Sequence, residues 1–253
     1  MDKLNIQNLV KDFGGKRVLK GVSFDVGDRE FLSILGPSGC GKTTILRILI
    51  GLTAPTSVAV FRDGQDITNL PPAERRMGIV FQNYALFENM TVLKNVEYAL
   101  SINKEKKSAA RETAERLIEM VGIKDYMYIK PGRLSGGEQQ RVAIARTLAM
   151  NPDIILLDEP MSALDADIRL SLRGELKKIQ KHFGSTMIYI THDQEEALAM
   201  SDRVMVMNEG EIMQLDTPHN IVERPANDFV KNFVADNINI KINSLLGFAA
   251  GGK

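Results

Sequence analysis

The sequence has almost no cysteine, no tryptophan and no excess of charge of either sign. Its 253 residues include one cysteine, Cys40, which excludes an internal disulfide and favours a reducing compartment. The 32 lysine and arginine residues balance the 32 aspartate and glutamate residues, whereas nucleic-acid-binding chains usually carry a basic surplus. A chain of this length can bury a sizeable core as one large or two small domains.

Long hydrophobic runs are also missing. No apolar stretch approaches the roughly 18 residues that a membrane-spanning helix needs. The first five residues lack the basic start and apolar stretch of a signal peptide. We therefore expect a soluble, cytoplasmic chain.

The sequence does contain an alternation of short apolar strands and amphipathic helices. Strands are predicted over residues 4–10, 18–26, 30–35, 58–62, 65–67, 154–157, 187–190 and 204–207, with a hairpin turn at Asp63-Gly64. Helices are predicted over 104–121 and 167–183, and Gly184 is expected to end the second. This order predicts an α/β protein with a largely parallel sheet and helices on both faces.

Residues 36–43 form the first chemical motif. They read Gly-Pro-Ser-Gly-Cys-Gly-Lys-Thr and match the phosphate-binding loop at every fixed position, between a predicted strand and an apolar helix predicted over 44–50. Backbone N–H groups would surround the phosphates, Lys42 would neutralise the β- and γ-phosphates, and the Thr43 hydroxyl would bind Mg²⁺. A chance match arises in about one chain in a hundred of this size. The predicted ligand is a nucleotide.

Asp158 and Glu159 follow an apolar strand. Taken alone they favour a solvent-facing acidic turn, because exposed carboxylates are common. Beside a phosphate loop they predict a metal ligand (Asp158) and a group that orients or deprotonates the attacking water (Glu159), pointing to opposite faces of the strand. His192 follows another predicted strand, where it could donate to the γ-phosphate or hold the attacking water.

A second glycine-rich turn lies at residues 134–141, which read Leu-Ser-Gly-Gly-Glu-Gln-Gln-Arg. An ordinary helix start with Ser135 as N-cap would explain the serine but not two adjacent glycines. Helix N-termini bind anions. Two such sites far apart in sequence suggest that one nucleotide is clasped from two sides, with water excluded from the transferring phosphoryl group.

These motifs, in this order, resemble the ATP-binding subunit of an ABC transporter over roughly residues 3–235. The resemblance implies a P-loop NTPase (RecA-like) core formed by residues 1–86 and 154–236, with an N-terminal antiparallel β-subdomain. It also implies an inserted α-helical subdomain, residues 87–153, that carries the signature motif. The tail, 237–253, is too short for a regulatory domain, so we expect transport not to be regulated through one.

The resemblance also implies site residues, ATP and Mg²⁺. Two copies would pair head to tail, so that the signature of one closes over ATP held by the phosphate loop of the other. The implied catalytic residues are Lys42, Glu159 and His192, and the implied metal ligands are Thr43, Gln82 and Asp158. The implied nucleotide-binding residues are Phe13 (stacking on adenine), Gly36, Pro37, Ser38, Gly39, Cys40, Gly41, Lys42, Thr43, Thr44, Gln82, Ser135, Gly136, Gly137, Gln139 and Asp165.

The stretches 191–197 and 223–230 look like those of bacterial solute importers, most closely those for polyamines, ferric iron, phosphonates or oxyanions. The implied partners are a second copy, separate membrane permease subunits and, indirectly, a solute-binding protein, which would place the chain at the cytoplasmic face of the membrane. Tyr84 and Phe87 are candidates for the permease-binding groove, with local core as an equal alternative. A non-transport ABC ATPase acting on nucleic acid or ribosomes is the alternative function, whereas a small-molecule kinase would leave the signature unexplained.

One departure from the family pattern concerns the loop before the second hairpin. Val58 stands where the family normally has glycine. If that position needs a positive φ, a β-branched residue there is strained.

Overall fold

The computed structural model describes residues 2–103 and 106–250, with side chains described up to Ser244. Its strands are β1 (Asp2–Phe13), β2 (Lys16–Gly27), β3 (Phe31–Leu35), β4 (Ser57–Arg62), β5 (Gln65–Asp66), β6 (Met77–Val80), β7 (Ile154–Asp158), β8 (Thr186–Thr191), β9 (Arg203–Asn208) and β10 (Glu211–Asp216). Its α-helices are α1 (Lys42–Leu49), α2 (Pro72–Arg75), α3 (Val92–Ile102), α4 (Ala110–Met120), α5 (Gly136–Leu148), α6 (Ala166–Phe183), α7 (Gln194–Met200), α8 (Pro218–Glu223), α9 (Asp228–Val230) and α10 (Asp236–Ala250).

Shorter 3₁₀ turns and one π turn connect these elements. The 3₁₀ turns lie at Lys107–Ala109, Lys124–Tyr126 and Pro131–Arg133, and the π turn lies at Lys231–Ala235. Among the described residues, no helix combines the length and the apolar character that crossing a bilayer requires.

Backbone contacts divide the chain into two units. The first consists of the residues up to Leu70 and from Ile188 onward, and the second runs from Pro71 to Met187. The sequence-derived boundaries of the helical subdomain, at 86/87 and 153/154, fall inside the second unit and stay a prediction.

The first unit contains an antiparallel sheet with the strand order β2–β1–β4–β5. It also contains β10, β9 and β3 as neighbours, with β9 parallel to β3 and antiparallel to β10. All five residues of β3 are buried. A cluster of buried apolar residues, among them Leu35, Val204 and Val206, packs with α7, α8 and the C-terminal segment. This core fixes the strand end from which the phosphate loop leaves.

The second unit contains the parallel pair β6–β7 and the helices α3, α4 and α5, which pack on one another. The faces between these helices are apolar and buried, as Val96, Leu117 and Ile144 show. The amphipathic helix α6 buries Leu172, Leu176 and Ile179 and ends at Gly184 in the left-handed conformation (φ 60°) that glycine adopts without penalty. The α/β fold class, with an antiparallel N-terminal sheet and a parallel sheet, is confirmed.

One local prediction is corrected, and the condition attached to another is tested. The predicted helix over 104–121 is shorter, because α4 begins at Ala110 after a 3₁₀ turn, while residues 104 and 105 lie outside the described part of the chain. The condition for strain at Val58, a positive φ, is not met. Val58 lies within β4, one residue after the strand begins, and is not among the described residues with positive φ. Extended backbone suits a β-branched side chain.

Candidate nucleotide site

The phosphate loop leaves the buried strand β3 at Gly36 and enters α1. Gly41 is the N-cap residue and is left-handed, with φ 107°. The helix begins at Lys42, two residues before the predicted start at Thr44. Lys42, Thr43 and Thr44 therefore form its first turn, where backbone N–H groups lack partners within the helix and attract anions.

Only glycine fits at position 36, because there is no room for a side chain. A Cβ atom at this position would overlap the carbonyl oxygen of Met207 and would lie 2.8 Å from the sulfur of Cys40. Met207 belongs to β9, which runs beside β3, so the contact involves backbone that cannot rotate away. The first glycine of the loop is thus fixed by close packing behind the loop.

The Lys42 side chain is turned into its own loop. It is 4% exposed, and its ammonium group donates to the carbonyl oxygens of Gly36 at 2.7 Å and Pro37 at 3.0 Å. Both acceptors are neutral, so a buried positive charge stands at the loop with no formal counter-charge from these two bonds. An entering phosphate would supply one, and its negative charge would add an attraction that the neutral carbonyls do not provide.

The loop is also attached to the first sheet by one turn. The N–H group of Gly210, between β9 and β10, donates to the carbonyl of Cys40 at 3.1 Å, and the N–H group of Lys20 on β2 donates to the carbonyl of Gly210 at 3.0 Å. Cys40 itself is 4% exposed. A phosphate would therefore meet the backbone of Cys40 and not its side chain. Pro37 is half-buried, and Ser38 and Gly39 are exposed.

Two further predicted residues of the first unit are exposed. Phe13, the last residue of β1, is 49% exposed, and the Lys11 ammonium lies 4.5 Å from its ring centroid. That contact is a cation–π interaction with the face of the ring. His192 follows β8 directly and is exposed.

In the second unit, the structure brings the acidic strand end together with Gln82 and Ser162. Asp158 is the last residue of β7 and is buried. The Ser162 hydroxyl donates to the Glu159 carbonyl at 3.0 Å and accepts from the Gln82 amide at 3.3 Å. These contacts join two segments that are separate in sequence, one with Gln82 and one with Glu159 and Ser162. Carboxylate, hydroxyl and amide oxygens are the hard donors that Mg²⁺ prefers.

The expected strand geometry of Glu159 is wrong. The strand ends at Asp158, and Glu159 has φ 44°, in the left-handed region. Strand alternation therefore does not set the directions of the two carboxylates relative to each other. Non-glycine residues in this region are uncommon and cluster at functional sites.

The glycine-rich turn at residues 134–141 begins helix α5 with Ser135 as an ordinary N-cap, which is the simpler of the two interpretations of this motif. Ser135 is the N-cap of α5, its side chain accepts from the Glu138 N–H at 3.4 Å, and the Glu138 carboxylate accepts from the Ser135 N–H at 2.7 Å. Partial burial would raise the pKa of Glu138, but hydrogen bonds donated by Ser135 and by the Tyr126 hydroxyl outweigh it and lower that pKa. The Gln139 amide donates to the carbonyls of Pro131 and Leu134 and so ties the helix to the turn before it.

The two glycines of the signature have a packing reason that sequence reasoning missed. A Cβ atom on Gly136 would lie 3.1 Å from Leu164, and one on Gly137 would lie 2.9 Å from the Cγ2 atom of Ile168. Leu164 precedes Asp165, the exposed N-cap of α6, and Ile168 lies in the first turn of that helix. The one feature of the sequence that could have indicated this packing is Ile168, which continues the apolar face of α6.

We predict that Gly137→Ala destabilises the protein by about 1–3 kcal/mol, the usual penalty for overpacking a close contact. Because the clash is with a side chain, Ile168→Ala should relieve it. Urea unfolding of the single and double variants would therefore show strong coupling between the two positions.

Gly174→Ala is the control for this series. Gly174 lies in α6, and a Cβ atom there would meet nothing within 4 Å, so alanine should stabilise the helix by up to about 1 kcal/mol. Additive effects of Gly137→Ala and Ile168→Ala would contradict the packing explanation.

Tyr84 and Phe87, the two candidates for the permease-binding groove, differ in their exposure. Tyr84 is buried, with φ 60°, and burial raises the pKa of its hydroxyl. Phe87 is 37% exposed and lies 4.9 Å from Tyr98, centroid to centroid. Arg146 of α5, which sequence reasoning also missed, donates to the carbonyls of Tyr84 and Ala85 and lies over the Phe87 ring. This arginine fork, in which one guanidinium group donates to two consecutive carbonyls of a left-handed segment, cannot be recognised from the sequence.

Phe87 and Tyr98 line a groove of about 820 Å³ within the second unit. Three cationic side chains, Arg76, Lys106 and Arg146, also line it, beside apolar residues that include Met77 and Ile79. The groove is thus lined by both apolar and cationic side chains.

Comparison with known proteins identifies the family. Residues 19–162 match the family of ABC transporters. The spermidine/putrescine import ATP-binding protein PotA of Marinobacter nauticus is 49% identical over 233 residues, which are 92% of this chain and 62% of that protein. PotA of Bacillus cereus is 45% identical over 238 residues, which are 94% of this chain and 73% of that protein. The chain thus spans less than two thirds of the length of the first of these relatives.

A solved structure is similar as well. It is described as the dimeric post-hydrolysis state of an ATP-binding cassette bound to ADP and Pi, and it is 35% identical, with a TM-score of 0.76, over 85% of this chain and 98% of that one. The fold and family implied by the sequence motifs are confirmed. The chain belongs to the ABC transporter family, as an ATP-binding domain of it.

Proposed function

We propose that this chain binds and hydrolyses ATP and that hydrolysis powers the import of a polyamine through a separate membrane permease. One observation carries the proposal: the identity of 49% to a spermidine/putrescine import ATP-binding protein extends over 92% of this chain. The relatives give no support to the alternative of an ATPase acting on nucleic acid or ribosomes. The chain would work at the cytoplasmic face of the membrane, attached through the permease and served indirectly by a solute-binding protein.

The proposed catalytic cycle assigns a role to each site residue. The first turn of α1 and the preceding loop bind the phosphates, and Phe13 stacks on the adenine. Mg²⁺ neutralises charge on the phosphates when bound; its proposed ligands are Thr43, Gln82 and Asp158. Glu159 takes a proton from, or orients, the attacking water, and His192 donates to the γ-phosphate. Positioning and charge stabilisation supply most of the catalysis in phosphoryl transfer.

Two copies are proposed to close head to tail on ATP. The residues at the start of α5, Ser135, Gly136 and Gly137, would face the partner's ATP, and Asp165 would lie at the dimer contact. The dimeric ATP-binding cassette that this chain resembles supports this proposal. The chemical reason for closure is water exclusion, because electrostatic stabilisation of the transferring group is stronger in a dry site.

The test is uptake of labelled spermidine by a bacterial strain that lacks its own polyamine-import ATPase subunit. Uptake restored by this chain, together with vanishing uptake for Glu159→Gln, would support the proposal. ATP hydrolysis by the complex with no uptake of spermidine or putrescine would contradict the solute class.

The groove in the second unit is proposed to receive a cytoplasmic segment of the permease. Because Tyr84 is buried, the exposed pair Phe87 and Tyr98 is the better target. Phe87→Ala with Tyr98→Ala should lower spermidine uptake at least about tenfold, a loss of about 1.4 kcal/mol at the contact, and leave the ATPase rate of the isolated protein within about twofold.

Tyr128→Ala is the control, since Tyr128 is 67% exposed in the same unit but does not line the groove. Unchanged uptake by the Phe87 and Tyr98 double variant would exclude the groove as the permease contact.

A further inference from the structure

Four residues around the exposed His192 form a continuous set of buried or half-buried hydrogen bonds. The Thr191 hydroxyl donates to Oε2 of Glu196 at 2.7 Å and accepts from the Asp193 N–H at 2.9 Å. The Glu196 N–H donates to Oδ1 of Asp193 at 3.1 Å, and the Tyr189 hydroxyl donates to Oε2 of Glu196 at 2.7 Å. Thr191 and Glu196 are each 3% exposed.

The first three of these bonds form a closed ring. It runs from Asp193 to Thr191, from Thr191 to the carboxylate of Glu196, and from the backbone of Glu196 back to Asp193. His192 lies between the first two of these residues, so its backbone is held on both sides. The Tyr189 bond reaches the same carboxylate oxygen but is not part of the ring.

A purely structural reading would make Asp193 an N-cap of α7 and Glu196 a satisfied buried acid. That reading explains the cap, which needs only Asp193. It does not account for the position of the Glu196 carboxylate, which accepts from the hydroxyl of the residue directly before His192. A buried acceptor for the Thr191 hydroxyl has a specific effect, because it fixes the rotamer of the residue that precedes His192.

We propose that Thr191 and Glu196 are positioning residues for His192 in ATP hydrolysis. The inference rests on the proposed function, in which His192 donates to the γ-phosphate. The ring limits where the imidazole can lie, and catalytic geometry tolerates little displacement. Breaking the ring should lower kcat more than ATP affinity, because the imidazole acts on the transferring group and not on the base or ribose of ATP.

The test compares two variants that each remove one hydroxyl bond to the same carboxylate oxygen. Thr191→Val breaks the ring and Tyr189→Phe leaves it intact. In the complex with the permease, Thr191→Val should lower kcat about tenfold with unchanged KM, a change that corresponds to about 1.4 kcal/mol. Tyr189→Phe should stay within about twofold, and Thr191→Ser, which keeps the hydroxyl, should restore the rate.

A second measurement distinguishes positioning from general damage. If Thr191 acts through His192, then Thr191→Val should cause no further loss of kcat in a His192→Ala background. Equal loss of kcat for Thr191→Val and Tyr189→Phe, or a further loss in that background, would overturn the inference while leaving the proposed function standing. If the unaltered protein with its permease neither binds nor hydrolyses ATP, the proposed function fails and the inference with it.

Discussion

Replacing Glu159 with glutamine is expected to lower ATP hydrolysis by about 10²- to 10⁴-fold, the range that a positioned general base contributes, while ATP binding is retained. Glutamine keeps the size of the side chain but cannot accept the proton of the attacking water. ATP would then remain bound, and two copies would stay closed around it. Light scattering with Mg-ATP should show the mass of two chains instead of the single 28.1 kDa chain.

The control is Glu74→Gln, which makes the same change of charge at an exposed position of α2. It should hydrolyse ATP at the normal rate and remain a monomer after turnover. A Glu159→Gln protein that binds ATP but stays a monomer would mean that the permease aligns the two copies or that α5 does not face a partner's nucleotide.

Replacing Gly36 with alanine is expected to lower ATP affinity by about 10- to 100-fold. The added methyl group meets the Met207 carbonyl, and overpacking of this kind costs about 1–3 kcal/mol, of which each 1.4 kcal/mol is tenfold in Kd. The loop must shift away from β9, and the N–H groups that would surround the phosphates shift with it. A titration with a fluorescent ATP analogue would measure the loss.

This clash differs from the one at Gly137 in what can relieve it. The neighbour of Gly137 is a side chain, whereas the nearest neighbour of Gly36 is backbone. Cys40→Ala, which removes the sulfur that is also close to Gly36, should therefore not restore ATP affinity to Gly36→Ala. Full affinity in Gly36→Ala, or rescue by Cys40→Ala, would contradict the backbone explanation.

The sequence predicted most of the fold because its signals were local. Buried strands such as β3 and β7 show as short apolar runs, and the hairpin of β4 and β5 shows as Asp63-Gly64. Strand ends were less predictable: β1 extends to Phe13, three residues beyond its prediction, because pairing with β2 continues to Lys16.

The sequence motifs supplied candidate site residues, but they did not reveal the contacts that support those residues. Phosphate-loop glycines and the acidic strand end are read from spacing. The Arg146 fork and the packing of Ile168 against Gly137 depend on contacts between distant segments. Such contacts follow no period in the sequence, so a single chain does not reveal them.

The contact between the start of α5 and the segment that enters α6 has a consequence for cooperativity. A Cβ atom on Gly136 or Gly137 would lie within 3.1 Å of Leu164 or Ile168, so we expect these two closely packed helix starts to move together. In a head-to-tail pair, one helix start would approach the partner's nucleotide while the other touches the partner's chain. Filling one site would then prepare the other, and the ATPase rate should rise with ATP concentration with a Hill coefficient above one.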